Sequence, residues 1–294
     1  MELRQLNYFV TVASALNFSK AAKKLFITQG TLSQQIQQLE NELGSELFTR
    51  TSRSVALTEA GAQLLPLAKR TLRDSNDCKL QANDLRKAIT GTLKIGVTHS
   101  FTRLLTRTLE DFMDRYKGVN LKIFYKSASE LHDMLREGEL DLIVAFTPAV
   151  RDSAIISEPL FQSNLSAIMR HDHPLAGRKS VTVKEISRYG IALAGSGLQA
   201  RKAFERFIDV DTSGLDVRVE LNEPYVILDM VERSNMVAIL SSLAIYYNKS
   251  LIAKPVQGIH RKMTGGIHYL RDAYRKRSAE LFCQMLRESA EMKF

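Results

Sequence analysis

The sequence predicts an α/β protein preceded by a small, mainly helical unit with a hairpin, and three observations predict it. The first sixty residues place apolar side chains at three- and four-residue steps in short runs. A long run from Thr58 to about Ile89 keeps those steps with few breakers. Beyond Gly91, strand-like and helical runs alternate. At 294 residues the chain accommodates two or three such units. An apolar fraction of 45% and a charged fraction of 25% are those of a globular chain and exclude disordered and fibrous classes. The opening Met1-Glu2-Leu3-Arg4-Gln5 is too polar for a signal peptide, and no run of about 18 apolar residues occurs, so a cytosolic chain with no membrane partner is expected. Cys78 and Cys283 stand far apart without metal-ligand spacing, so no zinc site, disulfide framework, cofactor or peroxide response is expected. A formal net charge of +9 suits a polyanionic partner. Residues 1–58, with six Lys and Arg against four Asp and Glu, are only mildly basic, so charge supports that reading without establishing it.

Leu3, Leu6, Phe9, Val10 and Ala13 share one face of a first helix. Asn17-Phe18-Ser19 interrupts it, with Ser19 as the expected cap of a short second helix whose small face is Ala21, Ala22 and Leu25. Thr28 is the expected cap of a third helix, which buries Leu32, Ile36 and Leu39. Its remaining positions, Gln29, Thr31, Ser33, Gln34, Gln37 and Gln38, carry amides and hydroxyls in place of the Lys and Glu usual on a solvated face. Gln pairs bidentately with adenine, and Ser or Thr reaches several bases, so the pattern suits a helix in the DNA major groove. A Gln-rich surface helix is the alternative. Leu43-Gly44 ends the helix. Thr49 to Ser54, flanked by Leu47-Phe48 and Val55-Ala56-Leu57, reads as a hairpin wing, from which Arg50 and Arg53 reach phosphates or a narrow minor groove.

Phe9, Ala21-Ala22, Leu25, Gln29, Ser33, Ile36, Leu39-Glu40, Leu43-Gly44, Leu47-Phe48, Arg50, Leu57-Thr58 and Gly61, spacing included, resemble the winged helix-turn-helix of LysR-type bacterial transcription regulators. The resemblance implies that residues 1–58 bind double-stranded DNA, with Gln29, Thr31, Ser33, Gln34 and Gln37 near bases and Arg50 and Arg53 near the backbone. Gly30 departs from the proline usual at that position, which loosens the helix start.

Residues 59–90 read as a linker helix of roughly 45 Å at 1.5 Å per residue. Its seam is Leu64, Ala68, Thr71, Ser75, Cys78, Ala82, Leu85 and Ile89. Thr71, Ser75 and Cys78 make the seam a poor one. A homodimer through this helix is expected, the alternative being an amphipathic helix packed on its own chain, and the resemblance implies pairing of dimers into a homotetramer.

Strands are expected near 92–97, 120–125, 141–146, 165–170, 190–194, 217–220 and 265–270, with helices near 101–116, 129–137, 198–208, 225–233 and 277–290. In such sheets ligands sit beyond the carboxyl ends of strands, where helix N-termini point outward. The corners Thr98-His99-Ser100-Phe101, Ser127-Ala128-Ser129, Phe146-Thr147-Pro148 and Gly195-Ser196-Gly197 carry hydroxyls or glycine, which suits a small anion. The same hydroxyls also suit simple helix capping.

Gly91-x-Leu93-x-Ile95-Gly96, Leu140-Asp141-Leu142-Ile143 and His173-Pro174-Leu175-Ala176 resemble the LysR-type effector domain, two α/β lobes like those of type 2 periplasmic binding proteins. The resemblance implies an effector-binding domain over 91–294, with lobes 91–163 plus 266–294 and 164–265. It also implies a cleft lined by Thr98, Ser100, Phe101, Ser127, Ser129, Thr147 and Ser196. His99 lies inside that site as a candidate pH sensor or ligand contact. Residues 234–240 replace a glycine-containing turn common in the family. The whole reads as an effector-controlled DNA-binding regulator whose output is DNA bending or contact with RNA polymerase. Nothing in the sequence suggests an enzyme. The rival is a ligand-binding or catalytic domain that uses the N-terminal helices only to dimerise.

Overall fold

The structure is a computed structural model that describes residues 1–51, 54–84, 89–150, 152–245 and 248–291. It divides into two compact units, Met1–Lys87 and Ala88–Phe294. Among the described residues no helix is long and apolar enough to cross a membrane.

In the N-terminal unit, α1 (Leu3–Ala15) buries Leu6, Phe9, Val12 and Ala13. Leu3 is 46% exposed, so the apolar face begins one turn later than expected. Helix α2 (Phe18–Leu25) is capped by Asn17, whose side chain accepts from the Lys20 amide at 2.9 Å, and not by Ser19 as expected. Asn17 holds the extended backbone a cap requires, while Ser19 is already inside the helix. Helix α3 (Gln29–Leu43) is capped by Thr28, which accepts from the Thr31 amide, and ends on Gly44 at φ 66°. Strands β1 (Phe48–Arg50) and β2 (Val55–Leu57) pair antiparallel. Helix α4 follows (Glu59–Asp84), with Pro66 inside it. Leu32, Ile36, Leu39, Leu47 and the rings of Phe9, Phe18 and Phe48 make a core that also takes in Ala68 of α4. Gly61 lets α4 close on the hairpin, since a Cβ there would sit 2.1 Å from the Leu47 carbonyl oxygen. The seam expected along α4 therefore starts as packing on its own unit. Leu85 lies outside the described residues, and Ile89 packs against the core of the second unit.

The second unit holds two five-stranded sheets among its described residues. In the first, β3 (Gly91–Val97), β4 (Val119–Tyr125) and β5 (Leu142–Phe146) run parallel, joined by α5 (Thr102–Arg115) and α6 (Ala128–Arg136). Strand β6 (Ile155–Ser163) then leads to the second sheet, built from β7 (Leu165–Arg170), β8 (Ile191–Ala194), β9 (Val217–Leu221), β10 (Val237–Ser241) and β11 (Leu251–Pro255). Helices α7 (Val183–Ile186), α8 (Gln199–Phe207) and α9 (Pro224–Glu232) connect them. The chain returns through β12 (Met263–Leu270), antiparallel between β5 and β6, and closes with α10 (Arg277–Glu291) packed on α5, with Phe112 and Phe282 rings 5.2 Å apart. The expected strands and helices are present within one residue at each end, except that β12 begins at Met263. The first sheet is thus rejoined at Met263 and not at 266. Strands β6, β10 and β11 are additions to the expected set.

Candidate nucleic-acid interface and ligand cleft

Helix α3 divides by burial as its sequence implies: Leu32, Ile36 and Leu39 are fully buried, Gln29, Thr31, Gln34 and Gln37 are exposed, and Ser33 is half-buried. Ser19 of α2 donates to Gln29 Oε1 at 2.8 Å, which orients that amide at the helix start. Thr31 exchanges a 2.8 Å hydroxyl bond with Thr28, and Gln37 donates to Asn41 at 3.2 Å. Arg50 is differently placed from the free arginine expected on a wing. Its guanidinium donates to Glu40 Oε2 at 2.8 Å and lies 4.6 Å over the Phe18 ring, tying the hairpin to α2 and α3. Arg53 lies outside the described residues.

In the second unit the carboxyl ends of β3, β4, β8 and β9 border a cavity of about 620 Å³. Ser127 and Ser196 face it from opposite lobes, joined by His99, Tyr125, Asn222 and Glu223. The His99 ring stacks on Tyr125 at 5.2 Å and its Nε2 lies 3.5 Å from Glu223, while its buried Nδ1 has no partner.

The other expected contacts do not converge on this cavity. Ser100 borders a neighbouring one with Tyr225 and Leu228, and Thr147 borders a third. Thr98 is half-buried with an unpartnered hydroxyl. Ser129 is exposed and bonds the Ser127 hydroxyl at 3.2 Å. Phe101 is in the core, its ring 4.9 Å from Phe146 and 5.3 Å from Phe161, and borders none of these three cavities. Gly265 has no room for a side chain, since a Cβ there would come 2.9 Å from that ring.

An open anion seat at the start of α6 is also corrected. The Glu130 carboxylate already accepts from the Ser127 hydroxyl at 2.7 Å and the Ser127 amide at 3.1 Å, closing a capping box. These bonds, with Lys126 at 3.1 Å, hold Glu130 down at about 2. Glu220 and Glu223 add two further carboxylates to the same cavity.

Tyr125, Asn222 and Glu223 were not among the expected residues. A Pro at the first position of α9, after Glu223, is the helix-start signal that marks the β9 corner. Cys283 is buried and its thiol is pushed up to about 11 by that burial.

Comparison with known proteins gives the same division of the chain. Residues 3–62 match the family model for the bacterial regulatory helix-turn-helix protein, lysR family, and residues 86–291 match the LysR substrate binding domain. The HTH-type transcriptional regulator YnfL of Escherichia coli is 40% identical over 194 residues, covering 64% of this chain and 64% of that protein. This chain therefore spans a little under two thirds of that relative's length. The HTH-type transcriptional regulator CysB of Burkholderia cenocepacia is 31% identical over 248 residues, 83% of this chain and 79% of the relative. Among solved structures, full-length OxyR from Pseudomonas aeruginosa superposes with a TM-score of 0.75 at 24% identity, covering 98% of this chain and 95% of that one. Full-length CbnR complexed with its target DNA gives 0.64 at 20%, covering 98% and 100%. At such identities the likeness is one of fold.

Proposed function

We propose, since this chain belongs to the LysR family of DNA-binding transcription regulators, that it reads its operator through the solvent face of α3 and takes a small effector in the cleft bordered by β3, β4, β8 and β9. The observation that carries the DNA half is the split of α3 into a fully buried Leu32–Ile36–Leu39 stripe and a face of amides and hydroxyls. Gln29, Thr31, Ser33, Gln34 and Gln37 are the residues we assign to base edges. Arg50 acts through the hairpin: its bond to Glu40 fixes β1 against α3 and so sets where the wing meets the backbone.

For the effector half, support comes from Ser127 and Ser196 facing one cavity from two lobes, with Asn222 and His99 beside them. A ligand that touches both lobes favours the arrangement in which it touches both, and that preference is what transmits occupancy to DNA binding. A dimer through α4, reading two half-sites and assembling further into a tetramer, belongs to the same proposal.

Selection of bound fragments from random DNA, then fluorescence anisotropy at two salt concentrations, tests the reading. Gln29→Ala and Ser33→Ala are expected to cost about 1–3 kcal/mol on the selected site and little on random DNA. Equal losses on both DNAs refute the base-reading assignment. Absent or salt-insensitive DNA association favours the rival in which the N-terminal helices only dimerise the chain.

A further inference from the structure

We propose that the C-terminal unit carries a second ligand site, an apolar pocket with a cationic rim at the carboxyl end of β5, which takes a small organic anion with an apolar body. The pocket measures about 720 Å³ and shares no lining residue with the effector cavity described above. The inference stands independently of how that cavity is used.

Four exposed cations are among its lining residues. Lys202 and Arg206 lie one turn apart on α8, Lys262 immediately precedes β12 and Arg271 immediately follows it. The side chains of Lys202, Arg206 and Lys262 make no hydrogen bond or ion pair among the described residues, and Arg271 has only the Ser153 carbonyl, at 2.9 Å. Against them stands one lining carboxylate, Asp152, and Arg136 already neutralises it at 2.7 Å. Among the described lining residues the excess of positive charge is therefore uncompensated. The lining also has apolar side chains, of which Phe146, Ile155, Ala203 and Met263 are buried.

The lining also carries uncharged polar groups. Thr147, Ser153 and Thr264 contribute hydroxyls, whereas that of Ser157 is already donated to His268 Nδ1 at 2.8 Å. His132, also on the wall, is 7% exposed: its Nδ1 donates to the Ala128 carbonyl at 2.6 Å, and its Nε2 has no partner. With Nδ1 donating, Nε2 of the neutral ring is an acceptor, so His132 does not hold the anion and the charge is met by the cations.

Electrostatics decides which cavity an anion enters. The cleft cavity contains Glu130, paired with Lys126, Glu220, paired with Arg201, and Glu223, and its α6 helix end is already occupied by the Glu130 carboxylate. A carboxylate or sulfonate finds no unpaired lysine or arginine among the described residues lining that cavity, and is attracted to Lys202, Arg206 and Lys262. An inorganic anion would satisfy the rim and leave the apolar walls wet, so an arene or alkyl body is the better fit. Lys202 and Arg206 belong to the second lobe, and Phe146, Thr147 and Arg271 to the first, so an occupant contacts both lobes and biases their arrangement.

The test uses the full chain and 4-fluorophenylacetate as probe, followed by fluorine NMR, with 4-fluorophenylacetamide as the neutral counterpart. Saturable binding of the acid is expected, at least tenfold tighter than the amide. The Lys202→Glu/Arg206→Glu pair, and separately Lys262→Glu on another element, are expected to weaken it tenfold or more while the thermal transition is retained. Ser196→Trp, which fills the cleft cavity, is expected to leave the probe's affinity unchanged. Loss of binding in Ser196→Trp with retention in the three charge-reversed positions places the anion in the cleft and overturns the proposal. Equal affinity for acid and amide, or no saturable binding of the acid in the millimolar range, overturns it as well.

Discussion

A carboxylate that is 4% exposed is costly unless donors surround it, and Glu40 has three of them: the amides of Leu47 and Phe48 at 2.9 and 3.2 Å and the Arg50 guanidinium at 2.8 Å. The arrangement ties the end of α3 to the start of β1 through one side chain. Glu40→Ala leaves two buried amides and a partly buried cation without an acceptor, and should destabilise the N-terminal unit by about 2–3 kcal/mol. Arg50→Ala removes one bond and a ring contact from a side chain that is 33% exposed, so its cost should be smaller, about 1 kcal/mol. Urea unfolding of both variants checks the order, and equal costs would mean that the amides contribute nothing. Before the fold was known, Glu40 was legible only as one letter of a motif, and Arg50 as a phosphate contact. Periodicity places Glu40 beside the buried Leu39 but does not show that β1 will bring two amides to it. Gly30 was more legible: it occupies the first turn of α3 with nothing nearer to a Cβ than the Thr28 hydroxyl at 3.9 Å, so its absence of a side chain answers no steric need of this chain.

Elements were legible where their pattern was local. The amphipathic helices α5, α6 and α8 and the strands β3, β4 and β5 follow from three-four steps and short apolar runs bounded by turns. Strand β6 was missed because Glu158-Pro159 breaks its alternation; the structure accommodates Pro159 at a register shift opposite Gly265 and Gly266. Strand β10 is buried at every residue between β7 and β8, and a central strand of that kind shows no alternation to read. The cleft suffers the same limit: Ser127 and Ser196 could be named from helix starts, whereas Tyr125 and Asn222 depend on which strand ends meet. Helix α4 carries a consequence of its own. Leu64, Leu65, Ala68 and Leu72 pack on the N-terminal core, and beyond them no apolar residue of α4 joins it among the described residues. A helix end with little apolar packing gains from burying its seam, for which a second copy is our proposed partner. Ser75 is half-buried and Cys78 exposed on the expected seam. Ser75→Leu with Cys78→Leu should therefore tighten the dimer by roughly tenfold or more, as apolar area at a seam does. Sedimentation equilibrium measures it, and an unchanged or weakened dimer would move the interface off this face.

At the scale of the whole C-terminal unit, the largest core joins the two sheets: Leu93, Ile95 and Ile267 of the first share it with Leu165 and Ile239 of the second and with Phe204 of α8. The two lobes should therefore unfold together, and a proton that destabilises one is felt by both. His268 on β12 is such a site. It is fully buried, its Nε2 donating to the Ala145 carbonyl at 3.1 Å and its Nδ1 accepting from the Ser157 hydroxyl at 2.8 Å, with the His132 ring 5.4 Å away. Burial pushes its imidazole down from 6.5 to about 4. Between those two values the unfolded chain holds a proton that the folded chain does not, so stability rises with pH across that window and falls as acid is added. The contribution is fully present above 6.5 and amounts to roughly 3 kcal/mol lost by pH 4, at about 1.4 kcal/mol per pH unit. The partners of Glu158, Arg287 and Arg275 among them, hold its carboxyl below its ordinary value, so its loss comes at lower pH and is separable. Denaturant unfolding of the full chain from pH 7 to 4 should show a single C-terminal transition with a declining midpoint. In His268→Gln, which keeps a donor for Ala145 and has no proton to take up, that decline should become shallower between 6.5 and 4 whatever the variant's absolute stability, the remainder including His173, which burial also holds down. A slope unchanged by the substitution would assign the acid sensitivity to other groups. Two separate C-terminal transitions would show that the shared core does not couple the lobes, and an effector held by both could then not act through it.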